Sequence, residues 1–211
     1  EGVGLIEIHH GWESGFDNSP RWDGPYSRIT PGPVPPFVRR DTLHVADVSE
    51  RPDDDEYTKY LWLVQQMADA GFDDRAVQET VDFRVRDVFF SAVMAASTEV
   101  LAGLAEEIGR AEDAAELRAT AQRFRDGGAA TVDPTTGLAR DYDVRAGQWI
   151  ATDTVSGFAP LVAGGDPALL ERQRQLLEGP EWMGYPRLKF RLPPSTSPAS
   201  PAFRARTYWR G

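Results

Sequence analysis

Apolar residues recur at helical spacing along most of this chain, and this periodicity most constrains its fold. One such pattern covers residues 85–108 and a second covers AAELRATAQRFRD, residues 114–126. Residues three and four apart share one helix face, so both patterns predict amphipathic helices. We expect Gly127 and Gly128 to end the second helix. The expected buried side of the first helix consists of Val88, Phe89, Ala92, Val93, Ala96, Val100, Leu101, Leu104 and Ile108.

Three further helices are predicted along the chain. One begins near Pro52, which suits a first turn, and the acidic run after it favours the positive end of the helix dipole; Gly71 is expected to end it. Residues 152–164 and 166–179 supply two shorter helices, and strand is expected at most around ARDYDV, residues 139–144. This succession of helices and short loops predicts an all-α fold of stacked hairpins. The expected apolar stripe of the first of these three helices is Tyr57, Tyr60, Leu61, Val64, Met67 and Ala68.

Composition excludes several classes of protein. The 211 residues suit one domain or two small ones, and 41% hydrophobic with 27% charged residues is typical of a globular protein. The formal charge of −10 disfavours binding to nucleic acid or anionic membranes. Without 18 consecutive apolar residues we expect no membrane span, and without cysteine or a visible secretory signal we expect the cytoplasm.

GWESGFDNSPRWD, residues 11–23, is predicted to be a loop that carries function. It holds two tryptophans and three carboxylates, and aromatic faces beside carboxylates are typical of sugar-binding pockets. Glycoside hydrolysis needs a carboxyl group that donates a proton to the leaving oxygen from a partly desolvated pocket. Asp17, between Phe16 and Asn18, is the candidate; an ordinary turn-forming role stays open for it.

Several motifs together resemble the mannosylglycerate and glucosylglycerate hydrolase group, which is related to glycoside hydrolase family 63. They are WESGFDNSPRWD, RRDTLHV, ERPDDDEYTKYLWLV, RVRDVFFSAVMAAS, DPTTG, TDTVSGFAPLVAG and PSTSPASPAFRARTYWRG, in the same order and over essentially all 211 residues. ESGFDNSPRWD and YWRG are specific to the group, whereas the helices between them are not. The resemblance implies an (α/α)6 barrel, an inverting mechanism and Asp17 as general acid.

The resemblance further implies that residues 1–211 are a single partial catalytic domain, cut at both ends. The chain starts at Glu1 in the apolar GVGLIEI and stops at YWRG, and the general base of the group lies well beyond YWRG. The piece alone is therefore expected to be inactive, poorly stable and to expose apolar helix surface.

Five residues are expected to bind substrate. Glycerate carries a carboxylate, which a fork-shaped cation and a hydroxyl recognise, and the resemblance implies that Arg51 and Tyr57 supply them. It also implies that Trp12, Tyr208 and Trp209 line the sugar site. Ordinary roles stay open: Arg51 as a counterion of the acidic run, and Trp12 and Tyr57 as core residues.

The expected function is hydrolysis of glucosylglycerate to glucose and glycerate. A mannosylglycerate hydrolase or a family-63-type α-glucosidase is the alternative within the same class, and a non-catalytic carbohydrate-binding or scaffold module is the alternative from another. No cofactor is expected, and no metal, because His9, His10 and His44 lack ligand spacing. The expected partner is a small glycoside, with no nucleic acid or membrane; the oligomeric state stays open, a homo-oligomer included.

Overall fold

The computed structural model describes residues 4–211, so the first three residues of the predicted apolar opening lie outside the described part. The chain divides into two compact units. The first comprises residues 4–6, Arg86–Asp141 and Val155–Pro194, and the second comprises Glu7–Val85, Tyr142–Thr154 and Ser195–Gly211. The helices are α1 (Asp23–Ser27), α2 (Asp54–Asp69), α3 (Asp74–Thr80), α4 (Val88–Glu107), α5 (Ala111–Ala130), α6 (Ala159–Ala163) and α7 (Pro167–Glu178).

In the first unit, α4 packs against α5 and α6 through small side chains rather than through the predicted large ones. Its buried residues are Val88, Ser91, Ala92, Ala95, Thr98, Ala102 and Ala105. Of the predicted stripe, Val88 and Ala92 are buried, but Val93, Val100, Leu101, Leu104 and Ile108 are exposed. Small residues allow helix backbones to approach closely, and a helix that is apolar nearly all round does not reveal its inner face through periodicity.

The second predicted helix also extends further than expected. α5 continues through Gly127 and Gly128 to Ala130, so the glycines do not end it. Both are buried within its last turns. Tertiary packing therefore overrides the low helix propensity of glycine at these two positions.

In the second unit, α2 begins where its acids indicate. Asp53 is its N-cap and forms a capping box with Glu56, and Pro52 precedes the cap instead of occupying the first turn. Gly71, with φ +64°, follows the helix as predicted. Its buried residues are Tyr60 and Leu63, whereas Val64 of the predicted stripe is exposed. Tyr60 packs with Tyr26, which in turn contacts Phe83.

The described chain is rich in helix, as predicted, but a small sheet accompanies the helices and extends beyond the little strand expected. Its strands are β1 (Ile6–Ile8), β2 (Val85–Asp87), β3 (Tyr142–Asp143) and β4 (Gln148–Trp149), hydrogen-bonded in that order. β3 lies within the predicted ARDYDV stretch and pairs antiparallel with β4, Tyr142 opposite Trp149. Strands of two or three residues are too short to produce an alternating pattern, and β2 occupies the predicted first turn of α4.

By length and mean hydropathy, α4 is long and apolar enough to cross a membrane. From the sequence no such span was expected, because the criterion of 18 consecutive apolar residues is stricter. One such helix is weak evidence, because the core helix of a soluble protein passes the same test. Within the first unit α4 contributes Val88, Ala92 and Ala95 to a buried cluster with Ala139 and Ala159.

The proline- and serine-rich stretch of residues 193–203 is packed into the protein rather than a free linker. Thr196 and Ser197 are buried, Thr196 forms a β-bridge with Thr154, and the Ser197 amide donates to the Asp153 carbonyl. This stretch leads the chain directly into the YWRG motif.

Candidate active site

A cavity of about 910 Å³ lies in the second unit, between the loop of residues 11–23, the start of α2 and the end of the chain. A cavity of this size suits a small-molecule ligand. Ten charged residues of the described chain are among those that line it: Asp17, Asp23, Asp53, Asp54, Glu56, Arg39, Arg51, Lys59, Arg204 and Arg210.

Two short 3-10 turns fix the backbone on either side of Asp17. The first covers Gly11–Ser14, and the Ser14 hydroxyl accepts a hydrogen bond from the Phe16 amide. The second covers Pro20–Trp22, with Ser19 as its N-cap, and the Trp22 indole donates to the Phe16 carbonyl at 2.9 Å. The predicted loop is therefore a defined structure whose short polar side chains and buried Trp22 present Asp17 to the cavity.

Tyr208 contacts Asp17 directly from the other end of the sequence. Its hydroxyl donates to Asp17 Oδ2 at 3.0 Å, and the Arg51 guanidinium lies over its ring at 4.4 Å from the centroid. Burial raises the pKa of Tyr208, and the Asp17 carboxylate adds to this rise against an opposing hydrogen bond with Trp209. Tyr208 is therefore a neutral hydrogen-bond donor at neutral pH.

Arg210, two residues after Tyr208, also connects the YWRG segment to the loop of residues 11–23. Its guanidinium donates to both oxygens of Asp23, at 2.6 and 2.9 Å, and more weakly to Asn18 Oδ1 at 3.4 Å. The Arg210 side chain is 16% exposed and that of Asp23 is 52% exposed, so this bidentate pair lies at the edge of the cavity with its carboxylate open to solvent. The YWRG segment thus contacts the residue after Asp17 as well as Asp17 itself.

The other carboxylates that line the cavity in the described chain each have a structural partner. Asp23 pairs with Arg210, and Asp54 pairs with Arg39 at 3.1 Å. Asp53 and Glu56 exchange hydrogen bonds with each other's backbone amides in the capping box of α2. Asp17, whose partner is a neutral hydroxyl, is the lining carboxylate without an ion pair or a capping role among the described residues.

In the described chain, the cations that line the cavity also divide into those with a structural partner and one without. Arg39 binds Asp41 and the Pro52 carbonyl, Lys59 donates to the Tyr26 carbonyl, and Arg204 donates to two carbonyls of its own loop. Among the described residues the Arg51 guanidinium has no hydrogen bond or ion pair, only the ring of Tyr208. Its five N–H donors are available to a ligand.

Trp12 and Tyr57 form an aromatic group beside the cavity, although neither is among its lining residues. Their ring centroids lie 6.1 Å apart, and the Tyr57 ring lies between Phe37 at 5.4 Å and the Arg39 guanidinium at 4.3 Å. Trp12 is 38% exposed and also packs on His10.

His10 holds this group in place through both ring nitrogens. Nδ1 accepts from the Trp12 amide at 3.0 Å, so Nε2 carries the proton and donates to the Tyr60 carbonyl. Burial lowers the pKa of His10 to about 4, so the ring is neutral at neutral pH. The residue is fully engaged in positioning Trp12 and α2.

The structure brings the predicted site residues together to different degrees. Asp17 and Arg51 line the cavity; Tyr208 touches both of them, and Trp209 lies behind it against Phe16 at 4.8 Å. The sequence prediction missed Arg39 and Lys59, and it took Tyr60, a lining residue, for core alone. Arg39 stands in the RRDTLHV motif and Lys59 one turn after the start of α2, so their nearness to predicted site segments was the available signal.

Comparison with known proteins resolves the family. The family model described as the mannosylglycerate hydrolase MGH1-like glycoside hydrolase domain matches residues 1–211. The chain belongs to this family. The motif resemblance drawn from the sequence is confirmed.

Similar proteins with assigned activities are hydrolases of the same two glycosides that the family resemblance indicated. A glucosylglycerate hydrolase of Mycolicibacterium hassiacum is 48% identical over 210 residues, which are 99% of this chain and 47% of the relative. A mannosylglycerate hydrolase of Thermus thermophilus is 37% identical over 213 residues, 99% of this chain and 49% of the relative. This member of the MGH1-like family therefore spans about half the length of the relatives it matches.

Solved structures match over the same extent. The crystal structure of a family-63 mannosylglycerate hydrolase, also from Thermus thermophilus and in complex with Tris, superposes with a TM-score of 0.88 at 36% identity. The match covers 99% of this chain and 49% of the solved one, and a complex of the same enzyme with Tris and D-glycerate matches equally well. The helix-rich fold of this MGH1-like chain is thus that of a family-63 glycosidase over the matched half.

Proposed function

We propose that this chain supplies the general acid and the aglycone-binding side of an inverting glycoside hydrolase that cleaves glucosylglycerate to glucose and glycerate. The observation that carries the proposal is one cavity lined both by Asp17, a carboxyl without an ion pair among the described residues, and by Arg51, a cation without one. A proton donor and an anion receptor in one pocket are what an acidic glycoside requires. The 48% identity to a glucosylglycerate hydrolase favours glucose as the sugar.

In the proposed reaction, Asp17 protonates the glycosidic oxygen as the bond to the sugar breaks. Tyr208 occupies Oδ2 of Asp17, which leaves the other oxygen to carry the proton. Trp12, Tyr57 and Trp209 offer aromatic faces near the cavity to the sugar and the glycerate.

Arg51 binds the glycerate carboxylate in this scheme. The guanidinium presents parallel donors that match both carboxylate oxygens. Its flat face packs on the ring of Tyr208, which holds it in a cation–π contact. The neighbouring acids do not compete for Arg51, because Asp53 and Glu56 cap α2 and Asp54 binds Arg39.

Water attack from the opposite face requires a second carboxylate, about 6.5–9.5 Å from the acid in inverting enzymes. Asp23, Asp53, Asp54 and Glu56 are engaged in ion pairs or caps, which supports a base from outside the described residues. We further propose that both units belong to one glycoside hydrolase domain with an (α/α)6 barrel. The family model, which matches the chain throughout, supports this.

The test is a substrate panel with the full-length protein: glucosylglycerate, mannosylglycerate and methyl α-glucoside. Glucosylglycerate is expected to give the highest kcat/KM, and ¹H NMR of the first sugar formed is expected to show the inverted anomer. The 211-residue chain, assayed alongside, is expected to release no sugar.

Other outcomes separate the alternatives. Preference for mannosylglycerate would reassign the sugar while leaving the mechanism intact. Binding of the glycosides without release of sugar by the full-length protein would identify a non-catalytic carbohydrate-binding module and overturn the proposal. A first product of retained configuration would overturn the inverting mechanism.

A further inference from the structure

Two sequence motifs 191 residues apart meet at the candidate acid. The Tyr208 hydroxyl donates to Asp17 Oδ2, and two residues later the Arg210 guanidinium binds Asp23 and Asn18 on the same loop. Arg210 donates to both oxygens of Asp23, so a bidentate pair links the two loops in addition to the Tyr208 hydrogen bond.

The backbone of the YWRG segment is itself held in an uncommon conformation. Trp209 has φ +58°, and Phe72 is the only other non-glycine residue with positive φ in the described chain. Such a conformation costs free energy and persists where the surroundings over-determine it. Here the Tyr208 amide donates to the Glu50 carbonyl, the Arg210 amide to the Thr207 carbonyl, and the Trp209 ring packs on Phe16.

The consequence of this conformation is the direction of the tyrosine hydroxyl. The Arg51 guanidinium covers one side of the Tyr208 ring, and the Tyr208 hydroxyl donates to Oδ2 of Asp17, which lines the cavity. A carboxyl group with one oxygen bound by a hydrogen bond is restricted in its rotation, so that oxygen does not turn toward the substrate. Its second oxygen is then the one that faces the glycosidic bond.

We propose that Tyr208 is a positioning residue for the general acid: its hydroxyl, aimed by the strained turn at Trp209 and secured by Arg210, fixes which oxygen of Asp17 delivers the proton. This inference rests on the proposed function. It gives Tyr208 a role that acts through Asp17 instead of through contact with the sugar.

The test is Tyr208→Phe in the full-length protein, which removes the hydroxyl and keeps the ring under Arg51. For glucosylglycerate we expect kcat to fall about ten- to a hundredfold with KM nearly unchanged. The reason is that a misplaced acid stabilises the transition state less well, whereas binding of the substrate does not depend on it. For α-glucosyl fluoride, whose leaving group departs without a proton, the loss is expected to be small. Tyr185→Phe, the same chemical change in the other unit, is the matched control and is expected to behave as wild type.

A double-mutant cycle with Asp17→Asn gives the decisive readout. If Tyr208 acts through Asp17, removing its hydroxyl costs no further activity once Asp17 is asparagine; a purely structural role would give additive losses. A rise in KM for both substrates, or additive losses in the cycle, would overturn the inference. Wild-type protein that hydrolyses no glycoside would instead overturn the proposed function.

Discussion

Arg51 differs from the other cations around the cavity because nothing in the described protein uses its hydrogen-bond donors. Arg39, Lys59 and Arg210 are bound to carboxylates or carbonyls, whereas the Arg51 guanidinium rests on the ring of Tyr208. The sequence left open whether Arg51 merely neutralises the acidic run after it. The described contacts argue against that role, because the acids of this run that line the cavity have other partners.

Arg51→Lys in the full-length protein should therefore weaken glucosylglycerate selectively. Lysine keeps the charge but loses the two parallel donors, and a hydrogen bond to a charged group contributes enough to change KM about tenfold or more. A neutral substrate such as methyl α-glucoside, which has no carboxylate, should be little affected. The measurement is KM for both substrates; equal changes would show that Arg51 is structural.

The sequence motifs selected residues that the structure brings together, but they did not predict the contacts between them. Motifs identified Asp17 and Arg51, which the fold brings to one cavity. Sequence alone did not reveal that Arg39 stacks on Tyr57 or that Tyr208 bonds to Asp17, because these contacts join segments far apart in the chain. Local spacing carries no information on such pairs.

The start of α2 is where an element of the fold serves the site most directly. Its capping box satisfies two backbone amides and also occupies Asp53 and Glu56, which keeps both acids from competing with Asp17 or binding Arg51. The helix then presents Lys59 and Tyr60 to the cavity.

Asp53→Ala should lower the free energy of unfolding by about 1 kcal/mol, the usual cost of losing an N-cap side chain. Asp55→Ala is the matched control: it removes the same charge from the first turn, but Asp55 makes no hydrogen bond or ion pair among the described residues. The Asp55→Ala variant loses only the interaction of this carboxylate with the helix dipole, which should lower the free energy of unfolding by about 0.5 kcal/mol or less. Urea unfolding of both variants measures the difference, and equal losses would contradict the capping account.

The five predicted helices were placed to within a few residues, although the short α1 and α3 were missed, and helix faces were not predictable. The acids before α2 and the Asp166-Pro167 start of α7 mark true N-termini. α4, by contrast, is apolar on nearly all sides, and only its partner helices select Ala92 and Ala95 over Leu101 and Leu104 as the buried set. Composition cannot encode that selection, because either face satisfies the same periodicity.

At the scale of the whole molecule, the chain spans about half the length of its relatives. The large exposed side chains of α4 form an apolar surface that the described residues leave uncovered. The proposed mechanism requires both an acid and a base, and Asp17 is the one lining carboxylate of the described cavity without an ion pair or a capping role.

The central claim is that Asp17 donates the proton, and Asp17→Asn in the full-length protein tests it most directly. Asparagine keeps the shape of the side chain and its contact with Tyr208 but cannot protonate a leaving oxygen. Hydrolysis of glucosylglycerate should fall by roughly 10²–10⁴-fold, with binding retained, while α-glucosyl fluoride, which needs no proton, keeps most of its turnover. Near-normal turnover of glucosylglycerate, or an equal loss for both substrates, would contradict the assignment.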